Sequence, residues 1–187
     1  MNDLPPLTPE MRNHMASVAS DRAKGWECVR QAVAPATDDF VAQLRDGTWV
    51  SRLLDSMAWT NEGGERLVTS ARMILPYERG AAARSAESDL VELSHGNPGD
   101  EALATSCARQ RDWCQAEADS WRSGDEEAGR KHRLQQFTDL DTSLLDRLLD
   151  HLSELTSGLH SDIHVVIARI LTAFLVLESG RNLPDPR

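Results

Sequence analysis

Cysteine and single-ring aromatics are scarce in this chain, with three cysteines, three phenylalanines and one tyrosine among 187 residues. Three thiols, Cys28, Cys107 and Cys114, cannot all pair, which excludes the disulfide framework of small secreted domains and fits a reducing compartment. No CxxC or other zinc-binding spacing occurs. Basic residues are also few, 20 against 30 acidic, giving a formal net charge of -10. Such a field repels phosphate backbones and anionic lipid, so no nucleic-acid partner is expected; it favours encounter with a cationic peptide. Long hydrophobic runs are missing too. The longest, Ile163 to Leu177, is fifteen residues and contains His164 and Arg169. A bilayer needs roughly 18 to 20 residues, so no membrane span is expected. The opening MNDLPPLTPEMR has neither the positive start nor the apolar stretch of a secretory signal, and a cytoplasmic location follows as an expectation.

What remains is a soluble-type composition, 40% hydrophobic and 27% charged with a mean hydropathy of -0.45. No linker divides it, so residues 1–187 are expected to form one domain, with residues 1–7 and 180–187 loose. Thr8, Pro9 and Glu10 combine an N-cap, a proline at the first helical position and an acid near the positive helix end, predicting a helix to about Val33. Thr37 caps a second, DDFVAQLR, which Gly47 closes. Trp49, Val50, Leu53, Leu54 and Met57 share one side of the next, and ERLVTSARMIL follows until Pro76 stops it. AARSAESDLVELSHG resumes the helical pattern. A long helix from about Glu101 to Arg122 carries Leu103, Cys107, Cys114 and Trp121 on an approximate seven-residue beat, and SGD breaks it. Helices through HRLQQF, DTSLLDRLLDHLSEL and the apolar stretch to Leu177 complete the pattern. No period-two strand occurs. The fold class predicted is an all-α, single-domain helical bundle of seven to nine helices, with the apolar C-terminal helix at its centre.

Catalytic and metal-binding constellations are sparse. One Glu-x-x-His spacing, Glu92 to His95, falls short of the two that a di-iron carboxylate bundle requires. His160 and His164 are one helical turn apart and would have to hold any metal of a helical metalloenzyme. Asp150 and His151 could do acid–base work if both lined a cleft, but neighbours on a helix project about 100° apart. No GxSxG, phosphate-binding loop or dinucleotide fingerprint occurs, so neither catalysis nor a cofactor is expected. The five tryptophans, Trp26, Trp49, Trp59, Trp113 and Trp121, fall mostly on apolar stripes. Trp59, beside Thr60 and Asn61 at a helix end, is the one suited to receive an apolar peptide. A rival function is a small-molecule-binding helical sensor domain, with a cavity lined by Trp113, Cys114 and Leu148.

Three pieces stand in a suggestive order. In DRAKGWECVRQAVAPATDDFVAQLRDGTWVSRL, Asp21 to Leu53, an arginine is followed four residues later by an aromatic, a proline closes the first helix, and a short helix ends in Leu-x-x-Gly. LPYE, Leu75 to Glu78, comes next; FTDLDTSLLDRLLDHLSEL then leads into an apolar helix with LVLESG. Over roughly residues 20–180 this order resembles the TorD/DmsD/NarJ family of chaperones for molybdenum oxidoreductases, particularly the dimethylsulfide, ethylbenzene, selenate or chlorate-type branch. The resemblance implies an all-helical protein, not an enzyme. It would bind the apo catalytic subunit of a molybdopterin oxidoreductase, and its twin-arginine signal peptide, until cofactor insertion and before export. It further implies that Pro76, Tyr77 and Glu78 form a loop that packs Tyr77 and presents Glu78. Where the family commonly carries an Asp-His element after its middle helices, this chain reads HGNPGDEAL, and its own Asp150-His151 comes later. The partner-binding residues expected are Trp59, Tyr77, Glu78, Asp150 and His151. The protein is expected as a monomer or as a dimer exchanging helices about the ERGAAARSAES stretch.

Overall fold

The computed structural model describes residues 6–57, 99–140, 144–157 and 162–180. The expected helices ERLVTSARMIL and AARSAESDLVELSHG, together with Trp59, Tyr77, Glu78, Glu92, His95 and His160, lie outside the described residues. Within them the chain is all-α, with seven helices: α1 (Pro9–Val33), α2 (Asp38–Asp46), α3 (Thr48–Ser56), α4 (Glu101–Ser123), α5 (Glu126–Asp139), α6 (Leu145–Ser157) and α7 (Asp162–Ser179). No strand occurs among the described residues.

The boundaries follow local chemistry. Thr8 Oγ1 accepts from the Met11 N–H at 3.2 Å and Pro9 opens α1. Thr37 repeats the cap on Phe40 for α2, and Asp100 and Asp125 do so for α4 and α5. Each side-chain oxygen satisfies an N–H that has no partner within its helix. Gly47 and Gly124 end α2 and α4 at φ of 79° and 82°, a left-handed conformation that favours glycine. Leu7 was expected in a loose N-terminal arm, yet its N–H donates to Glu126 Oε1 at 2.9 Å and ties the start of α1 to α5.

Among the described residues, the most extensive packing is of α1 on α4. The buried face of α1 is rich in Ala16, Ala19, Ala23, Gly25 and Ala32, small residues that let neighbouring helices come close. A Cβ on Gly25 would lie 2.3 Å from the Phe174 ring, so α7 crosses α1 where only glycine fits. One continuous cluster of buried apolar side chains draws on α1, α2, α3, α4, α6 and α7. It includes Trp26 and Phe174 edge to face at 5.5 Å, and Phe40 on Trp49 at 5.8 Å. Cys28, Cys107 and Cys114 are free and buried, as small hydrophobes are. Burial pushes the Cys28 and Cys107 thiols up to about 11 and about 12, so both are protonated and unreactive at neutral pH.

The C-terminal helix buries Ile167, Ala168, Ile170, Leu171, Phe174 and Leu175. Arg169 is exposed, however, and Val165, Ala173 and Val176 along the same stripe are half-buried, so one edge of α7 faces outward.

Candidate functional site

Two polar constellations flank α1. The first is enclosed between α1, α4, α5 and α7. Arg22, Glu117, Glu178 and Gln136 are each at most 3% exposed. Arg22 grips Glu178 with two hydrogen bonds, Nε to Oε1 at 2.7 Å and Nη2 to Oε2 at 2.8 Å, and donates from Nη1 to Glu117 Oε2 at 3.2 Å. Trp26, one turn along α1, donates its indole N–H to Glu178 Oε2 at 2.9 Å. Glu117 accepts further from Trp121 Nε1 at 3.1 Å, Gln136 Nε2 at 2.9 Å and Arg133 Nη1 at 3.4 Å. Cys114 and Gln110 complete the ring, donating to the Gln136 side-chain and backbone oxygens.

Two cations therefore meet two carboxylates. Burial works against the Arg22 charge, but Glu178 and then Glu117 outweigh it and hold the guanidinium pKa above the ordinary arginine value. The planar fork of arginine matches a carboxylate edge, which is why such pairs take two parallel bonds. With its ions matched and each carboxylate bonded several times, the network fixes the register of α7 and α4 against α1. All four carboxylate oxygens of Glu117 and Glu178 are taken by protein donors.

The second constellation is an open pocket of about 330 Å3 between α1, α3 and α4. Ala23 forms part of its floor, and Lys24, Glu27, Arg52, Arg111 and Asp112 project into it. Glu27 bridges Arg30 at 2.6 Å and Arg111 at 2.7 Å, and Arg111 also holds Asp112 at 2.8 Å.

Of the expected partner-binding residues, only Asp150 and His151 are described. Both stand on α6, Asp150 exposed and His151 half-buried. Their different exposure follows from the helical turn between adjacent positions, so the two do not form one acid–base pair. His151 Nε2 is buried and has no hydrogen-bond partner among the described residues. Burial lowers its pKa, against an upward pull from Glu154 and Asp100, which keeps the ring neutral at pH 7. Asp100 belongs to the HGNPGDEAL stretch, caps α4 and donates its own N–H to Val33 O at 2.8 Å. His151 is thus electrostatically linked to that stretch, despite standing some fifty residues later.

The residues expected to line a sensor cavity, Trp113, Cys114 and Leu148, differ in exposure. Cys114 and Leu148 are fully buried, whereas Trp113 is half-buried on another face of α4 with the Arg109 guanidinium 5.5 Å from its ring centre. No group of three or more metal-binding side chains occurs among the described residues, and none of their helices is long and apolar enough to cross a membrane.

Sequence reasoning passed over the buried ions, although a signal was present. Leu103, Cys107, Gln110, Cys114, Glu117 and Trp121 recur at alternating spacings of four and three, the seam of a packed helix. Gln110 and Glu117 are polar residues at seam positions, and Glu178 interrupts an apolar helix in the same manner. Compared with family models, curated proteins and solved structures, the chain matches none.

Proposed function

We propose that the protein is a system-specific cytoplasmic chaperone, not an enzyme, that binds the apo catalytic subunit of a molybdenum oxidoreductase during cofactor insertion and before export. The reading rests on the ordered resemblance of the chain to the TorD/DmsD/NarJ family. The observation that carries it is the meeting of Arg22 and Trp26, from the first stretch of that resemblance, with Glu178, from its last. Residues quoted for their order along the chain share one buried contact, which gives the pattern a physical reason. The net charge of -10 adds the long-range attraction that a cationic twin-arginine segment requires. An apolar segment of that client with three leucine-sized anchors would gain about 5 to 9 kcal/mol from burial before ordering costs, which suits a complex that must release.

The test is affinity purification of the tagged chain from its native host. Recovery of a molybdopterin oxidoreductase catalytic subunit is expected; recovery of no such subunit, from cells making or lacking the cofactor, overturns the reading. A synthetic twin-arginine peptide should bind more weakly as salt rises, because exposed charges are screened within about 8 Å at 0.15 M ionic strength. The rival reading, a small-molecule-binding helical sensor domain, is favoured by one feature, the open pocket beside α1.

A further inference from the structure

The pocket between α1, α3 and α4 contains an imbalance of charge. Around it, Lys24 is paired with Asp21 at 2.8 Å, Arg30 with Glu27, and Arg111 with both Glu27 and Asp112. Three cations and three carboxylates there cancel. Arg52 is left over. Among the described residues its one hydrogen bond runs from Nη1 to the neutral Gln43 Oε1 at 2.9 Å, and none of their carboxylates pairs with it. A guanidinium has five N–H donors, so four remain for another partner. Arg52 is half-buried, which weakens its hydration and raises the gain from an ionic partner.

Among the described residues around the pocket the surplus is therefore a single positive charge, in a protein whose total is -10. It is presented by a flat fork that matches the edge of a carboxylate. Glu27 and Asp112 stand in the same lining and would repel a doubly charged phosphate more than a monoanion. A volume of about 330 Å3 is at the small end of ligand pockets, and the aliphatic stems of Lys24, Arg52 and Arg111 beside Ala23 offer an apolar surface for a short carbon chain. We propose that this pocket binds a small monocarboxylate, with Arg52 anchoring the carboxylate and Lys24 flanking it. The assignment goes beyond the chaperone reading and does not rest on it.

The experiment uses the full chain with acetate and hexanoate as probes, read by the Nε–Hε NMR signals of its arginines and by calorimetry. A saturable shift of the Arg52 signal is expected, with hexanoate tighter than acetate and dissociation near 1 mM or below, the scale of a few hydrogen bonds. Arg52→Gln should weaken binding about tenfold or more, since a charge-assisted bond contributes about 1.5 to 3 kcal/mol. Arg122→Gln, an exposed arginine elsewhere on α4, should leave it unchanged, and circular dichroism should show both variants folded. Absence of a saturable shift at Arg52, retention of wild-type affinity by Arg52→Gln, or tighter binding of inorganic phosphate than of hexanoate would each overturn the assignment. Failure here leaves the purification test of the chaperone reading untouched, so the two ideas fail separately.

Discussion

Arg22 and Arg52 are the same side chain in opposite circumstances. Arg22 is enclosed, held by two bonds to Glu178 and one to Glu117, while Arg52 rests on one amide oxygen at the rim of an open pocket. Both stand on short-range helical scaffolds, α1 and α3, that pack against each other. What separates them is access to water. An enclosed charge must find its counter-ion inside the protein, so it dictates which helices lie together. A charge at a rim can be satisfied by solvent or by a ligand, so it constrains the fold little and is free to recognise something.

The largest effect should come from breaking the enclosed pair. Glu178→Ala leaves Arg22 short of a carboxylate and the Trp26 indole N–H without an acceptor, and should cost about 3 to 5 kcal/mol in urea-denaturation stability. The double variant Arg22→Leu with Glu178→Leu removes both ions together and should recover more than half of that loss. Glu117 remains bonded to Trp121, Gln136 and Arg133 in it. A double variant no more stable than the single one would mean that shape, not charge balance, governs the site.

The corresponding change at the open pocket should be mild. Glu27→Ala breaks contacts to Arg30 and Arg111, but water replaces them, and a loss of about 1 kcal/mol or less is expected in the same assay. A loss near that of Glu178→Ala would erase the distinction between the two regions.

His151, half-buried on α6, should give the smallest signal. Its pKa is lowered in the folded state, so its contribution is fully present above the ordinary histidine pKa of about 6.5. That contribution is lost as pH falls below about 6.5 and through the lowered folded-state pKa, because the unfolded chain takes up the proton first. His151→Asn should flatten the fall in stability between about pH 7 and 5, which urea titrations at stepped pH would detect.

Much of the architecture could be read from short signals, because caps and breaks act over three or four residues. Thr8-Pro9-Glu10, Thr37, Gly47 and Gly124 mark helix ends where the structure has them. The enclosed ions were harder, since Arg22 and Glu178 are 156 positions apart and each alone looks like a solvated charge. The signals that betrayed them were polar residues set in apolar patterns, Gln110 and Glu117 in the α4 seam and Glu178 in α7. Asp150-His151 drew attention as a dipeptide, yet the turn of α6 gives the two residues different exposures. The pocket was illegible for another reason: Lys24, Arg52 and Arg111 come from three helices, and their grouping depends on packing that no local pattern records.

The distance along the chain between Arg22 and Glu178 also bears on synthesis. Translation delivers α1 first and α7 last of the described helices, so a nascent polypeptide carries Arg22 without its principal counter-ion until the segment bearing Glu178 leaves the ribosome. Up to that moment the part of α1 around Arg22, Gly25 and Trp26 that α7 will cover stays wet, although α3 and α4 can already pack on the rest, and the docking of α7 acts as a late latch.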